Sequence, residues 1–177
     1  PITPQTVTRC DDLAASIFNP DSYGYGRADR DVDVSQALQA CRAAVADAPQ
    51  SARLAYQLAR VEALAEEAVQ SVARLASPLL ADYPPAMLAL ADAFEDARGV
   101  AGNTERASDL RQAAAEAGYA PAMLAVARET QNAYSAALVR SEVSVDVEGQ
   151  VLDPMLAQLI EIGHVPAYNL YNDYILR

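Results

Sequence analysis

The residue types that most often carry chemistry are scarce and poorly matched. His164 is the single histidine. A nucleophile–histidine pair or a zinc site built on several imidazoles therefore has little to draw on. His164 directly follows Gly163, where a helix linker is expected. Asp29, Asp31 and Asp33 have the spacing that opens a calcium loop, but Val34 stands where that loop needs glycine and Ala40 where it needs a bidentate glutamate. The expectation is an acidic loop in which Asp33 or Ser35 caps the next helix. Glu66-Glu67 and Glu95-Asp96 fall at expected helix ends with no apolar pocket around them, so they read as solvated surface and not as an acid–base pair. Tyr23-Gly24-Tyr25-Gly26 lacks the strand-to-helix setting of a phosphate loop. No catalytic residue, metal site or cofactor is expected. Cys10 and Cys41 are either free and buried or, in an oxidising compartment, joined.

Charge narrows the partners. Asp and Glu total 24 against 13 basic residues, all arginine, for a net charge of −11. A nucleic-acid backbone repels such a surface, and no basic cluster offsets it. Anionic membranes are disfavoured for the same reason, and no apolar run reaches the length of a membrane span. The chain starts at Pro1, not at a methionine, as expected after removal of a signal peptide or from a trimmed start.

The elements that position these residues are helices in a repeating pattern. Residues 83–91 and 119–127 agree at seven of nine positions at an offset of 36, a period of one helical hairpin with its turns. In 83–118, Pro85 suits a first helical turn, and Leu88, Leu90, Ala91 and Phe94 supply an apolar stripe. Gly99-Val100 and Gly102 make the turn. Asn103 or Thr104 caps a second helix, which Gly118 ends in a left-handed conformation. Earlier helices are expected over 35–47, 52–64 and 66–80, the last stopped or kinked near Ala76 by Pro78. Residues 119–140 read as helical with a break near Gln131-Asn132. Residues 142–148 alternate apolar and polar as a strand would, although their place between helices favours an extended loop. A helix capped by Asp153 runs from Pro154 to Ile162, and a terminal helix covers 165–177.

Ala86, Leu90, Ala91, Phe94, Gly99-Val100, Ala113-Ala114-Ala115-Glu116 and Gly118 together resemble the Sel-one-like repeat family, kin of the tetratricopeptide repeats. The resemblance implies an all-α solenoid of antiparallel hairpins: a shorter tetratricopeptide-like unit over 50–82, a clear repeat over 83–118, a divergent one over 119–163, and the terminal helix. Residues 1–34 form an irregular segment ahead of the repeat domain, 35–177. There, Cys10-Asp11-Asp12-Leu13-Ala14-Ala15 with Ala40-Cys41 resembles the segment preceding such repeats in bacterial exported proteins. That likeness implies a periplasmic or otherwise exported protein with a Cys10–Cys41 disulfide tying the segment to the repeats.

The family implies no single activity, and its members commonly act as adaptors or scaffolds for other proteins. In such repeats the first helix of each hairpin lines the concave face. Aligning Leu58, Leu90, Val126 and Leu170 brings Arg60, Asp92, Arg128 and Asn172 to equivalent positions, with Gln57, Ala89, Ala125 and Asn169 one residue before the aligned ones. Tyr168, Tyr171 and Tyr174 make a stripe on the terminal helix, and tyrosine is favoured at interfaces. The leading expectation is a non-enzymatic protein-interaction module, an adaptor or accessory subunit of the cell envelope that takes a protein partner and does not insert in the membrane. The alternatives are a binder or hydrolase of cell-wall-related small molecules and a structural subunit of a larger membrane complex.

Overall fold

A computed structural model describes residues 6–21, 26–139 and 154–161. These residues contain eight α-helices and no strand: α1 (Arg9–Ala14), α2 (Val34–Asp47), α3 (Ala52–Leu64), α4 (Ala68–Leu75), α5 (Pro84–Glu95), α6 (Thr104–Glu116), α7 (Ala120–Val139) and α8 (Pro154–Glu161). The all-α class is as expected.

Local chemistry sets most of the boundaries. Asp33 caps α2 by accepting from the Gln36 N–H at 3.2 Å, and its hydrogen bonds, that from Gln36 foremost, hold its carboxyl below the ordinary aspartate range. Ser51 caps α3. Helix α4 stops at Leu75, ahead of Pro78, which instead opens a short 3-10 turn, Pro78–Leu80. Pro84 and Pro85 occupy the first turn of α5, where no N–H is missed. Gly99 takes φ +71°, and a Cβ there would lie 2.4 Å from the Ala68 carbonyl oxygen, so the turn can press against the start of α4 only as glycine. Asn103 caps α6 through the Arg106 N–H at 2.9 Å, and Gly118 follows α6 at φ +80°.

Two expectations need correction. The N-terminal segment is not wholly irregular, since α1 and a 3-10 turn, Asp29–Asp31, lie within it. Thr8 and Asp11 form a reciprocal capping box that nucleates α1. Helix α7 has no break at Gln131-Asn132 and continues to Val139. Gln and Asn cost a helix only tenths of a kcal/mol, and the alanines that follow restore the propensity. The strand-like stretch 142–148, His164 and the terminal helix 165–177 lie outside the described residues.

The chain forms two compact units, Pro1–Leu110 and Arg111–Arg177, dividing within α6. In the first unit, Cys10, Ala14, Ala37, Cys41, Leu54, Leu58 and Val61 make one core cluster between α1, α2 and α3. Tyr56, Leu75, Leu80, Tyr83, Leu90, Phe94 and Ala107 make a second around α3 and α5. Helix α3 is thus covered on several sides, and most of its residues are buried. In the second unit Tyr119, Ala122, Met123, Ala127 and Leu159 are buried, and α8 packs on α7. No helix among the described residues is long and apolar enough to cross a membrane.

Candidate functional site

Helix α3 carries Arg53, Gln57 and Arg60 at spacings of four and three, a polar stripe along one side of the helix. The stripe meets the N-terminal segment. Asp11, fully buried, pairs with the buried Arg53 guanidinium. Its Oδ1 accepts from Gln57 Nε2 at 3.0 Å. Its Oδ2 accepts from the Thr8 N–H at 2.7 Å and the Thr8 hydroxyl at 2.9 Å. A buried charge persists only where it is paired and hydrogen-bonded, and Asp11 is both. The bond to Asp11 also fixes the Gln57 amide, whose Oε1 lies 3.1 Å from Cys10 Sγ. A disulfide sulfur has no proton to donate, so this is a contact and not a hydrogen bond.

The sulfurs of Cys10 and Cys41 are joined, with their Cα atoms 4.6 Å apart and both residues fully buried. The bridge fastens α1 to α2 across a separation of 31 residues, a loop whose closure stabilises the fold by roughly 3–4 kcal/mol in the chain-entropy model.

Arg60 completes the attachment. Its Nε donates to Asp29 Oδ1, its Nη1 to the Ala14 carbonyl and its Nη2 to the Arg27 carbonyl, each at 2.8 Å. One guanidinium fork therefore gathers the end of α1, the loop backbone at Arg27 and the 3-10 turn. The loop closes where the Arg27 N–H meets the Ala15 carbonyl at 2.7 Å. Gly26 allows that approach, because a Cβ there would sit 2.3 Å from the Ile17 nitrogen. Farther along, Asn19 Oδ1 accepts from the Tyr83 hydroxyl at 2.6 Å. Tyr83 in turn packs its ring against Tyr56 at 5.6 Å between centroids. Burial pushes the Tyr56 hydroxyl up to about 12 and raises Tyr83 further.

The expected binding face is changed by these contacts. Gln57 is fully buried and the Arg60 side chain is 10 % exposed, so neither lines an open groove. The residues aligned with Arg60 differ: Asp92 on α5 and Arg128 on α7 are both exposed. Ala89 and Ala125 are half-buried. Tyr168, Asn169, Tyr171, Asn172 and Tyr174 lie outside the described residues. The acidic loop does not converge on a point, since Asp29 turns to Arg60 while Asp33 caps α2.

The Asp11–Arg53 pair escaped the sequence reading. Two signals were present: Thr8-x-x-Asp11 has the spacing of a capping box, and Arg53 starts the polar stripe on α3. An open depression of about 750 Å³ lies beside this network, lined by Thr8, Arg9, Ala44, Ser51, Arg53 and Leu54 among others. Asp11 is not among its lining residues and both its oxygens are engaged within the fold, so it is a poor general base. No family model, curated protein or solved structure matches the chain.

Proposed function

We propose that the protein is an interaction module of the bacterial cell envelope, an adaptor or accessory subunit built from Sel-one-like hairpins, and not an enzyme. The observation that carries the reading is the recurrence of one helix start. The N–H groups of Ala86 and Met87 donate to the Tyr83 carbonyl at 2.9 and 3.1 Å, and those of Ala122 and Met123 to the Tyr119 carbonyl at 2.9 and 3.0 Å. Tyr83 and Tyr119 are equally buried, each 9 % exposed. A repeated unit offering charged side chains at one register suits the recognition of an extended or helical protein segment. Use of the chain's polar groups supports it as well: Asp11, Gln57, Arg60 and the Glu62–Arg74 pair join element to element. The joined cysteines suit an exported protein.

The test is crosslinking in native envelope extracts, followed by binding measurements on the captured partner. Arg128→Glu is expected to weaken docking about 30-fold or more, as the loss of a central arginine contact does. Tyr171→Ala probes the C-terminal stripe. Normal binding by both variants, with both folded, would refute these surfaces.

A further inference from the structure

The N-terminal segment sits on α3 as a partner would. Helix α1 is a single short helix that inserts a first-turn carboxylate between Arg53 and Gln57. It also presents its final carbonyl, at Ala14, to Arg60. These are the contacts expected when a repeat face holds a helical peptide: an acid for a cationic and amide pair, and a helix end for a guanidinium. Of the four described residues first expected to face a partner, Gln57, Arg60, Asp92 and Arg128, the first two are the ones the segment occupies. On release the polar holding groups regain water, but Cys10 and Ala14 leave the core cluster and the Asp11–Arg53 pair is broken. The Cys10–Cys41 bridge adds a covalent fastening to these contacts, and its loss shifts the balance toward release.

We propose that α1 and its loop are an internal ligand latched over α3, and that the unlatched face takes a short helical segment of a protein partner bearing an acidic residue in its first turn. The inference deepens the adaptor reading and rests on it. Unlatching needs a dithiol reductant. One reductant thiolate attacks a protein sulfur, and its second thiol resolves the mixed disulfide. Two electrons and two protons pass to Cys10 and Cys41, and the reductant leaves as its own disulfide. Both protein sulfurs are buried, so exchange proceeds through local opening.

Hydrogen exchange on the full chain, oxidised and then reduced with dithiothreitol, tests the latch. The Asp11, Ala15 and Arg27 amides are expected to exchange about 100-fold faster after reduction, while α5 amides stay within about threefold. Unchanged rates at all three would show that the polar contacts alone hold the segment. Equal acceleration in α5 would show that the bridge holds the unit as a whole. Either result overturns the latch.

The face is tested with the full-chain double variant Cys10→Ser, Asp11→Ala, in which the internal ligand is weakened, once circular dichroism shows native helical content; if that chain is unfolded, the single variant Cys10→Ser, which keeps the Asp11–Arg53 pair, takes its place. A fluorescent synthetic peptide of residues 6–16 carrying Cys10→Ser should bind this variant saturably and leave the oxidised native chain unbound. The same peptide with Asp11→Asn should bind about tenfold or more weakly, because it lacks the charged acceptor. Equal binding of the two peptides, or none, would reject the acidic-helix partner. Failure of Arg128→Glu to affect a captured protein would count against the wider adaptor surface but leave both of these measurements standing.

Discussion

Arg60 and Arg128 fall at matching positions when Leu58 of α3 is aligned with Val126 of α7, yet they meet different surroundings. Arg60 spends its guanidinium on Asp29 and on the carbonyls of Ala14 and Arg27, whereas Arg128 is exposed on α7. The same residue type at the same helical position is a structural clamp in one unit and a solvated side chain in the other. Helical periodicity sets which way a side chain leaves its helix. What it meets depends on chain that lies far away, here a segment some 46 residues earlier.

The largest effect should come from the group that the clamp protects. Asp11→Ala leaves the Arg53 guanidinium buried without its carboxylate and removes the acceptor for Gln57 and Thr8. Breaking a buried pair from one side costs about 3–5 kcal/mol. Urea denaturation of the oxidised protein should show a midpoint shift of that size. A loss below about 1 kcal/mol would mean that Arg53 and Asp11 are not a working pair.

Arg60→Ala ranks next. Three hydrogen bonds from a charged donor vanish and two backbone carbonyls lose their partner, a cost of about 2–3 kcal/mol. Asp29→Asn should cost less, since Asp29 is largely exposed and both carbonyl contacts survive. Equal losses for the two variants would locate the clamp in the ion pair and not in the carbonyls.

Alkaline pH probes the tyrosines that the segment helps to cover. Burial raises the Tyr56 hydroxyl to about 12, Arg60 opposing and Asp29 adding to the shift. An unfolded tyrosine ionises near 10. Between pH 10 and about 12 the unfolded chain has therefore released a proton that the folded chain retains, so stability falls as pH rises, by up to about 1.4 kcal/mol per pH unit for this residue. Stability below pH 10 is unaffected by it. Melting temperature against pH should bend downward near 10, and Tyr83→Phe should flatten the slope, because Tyr83 is raised in the same direction.

Much of the helix layout was legible because its signals are local. The boundaries of α3 fall at the expected Ala52 and Leu64, α4 stops ahead of Pro78, and Gly118 follows α6 with positive φ. The candidate site was legible only in part. Arg53, Gln57 and Arg60 mark a polar face on α3 in any reading, but the sequence holds no local sign that this face meets Thr8–Asp29. The joining of Cys10 to Cys41 came from a family likeness. The depth at which the pair lies, beside Gln57, depends on tertiary packing.

The smallest expected effect on stability is at Arg128, and it sharpens the contrast most. Arg128→Glu alters an exposed side chain at the register of Arg60, so unfolding free energy should change by no more than about 0.5 kcal/mol. Arg60→Glu sets a carboxylate against Asp29 and two carbonyl oxygens and should lose more than the ~2–3 kcal/mol of the alanine variant, since repulsion adds to the lost bonds. Denaturant titration of the two charge reversals under one set of conditions isolates surroundings from residue type. If Arg128→Glu proved as damaging as Arg60→Glu, Arg128 would be a second internal clamp. The expected gap of about 2 kcal/mol or more would leave Arg128 as the cation of this register that a partner can reach without unfolding the chain.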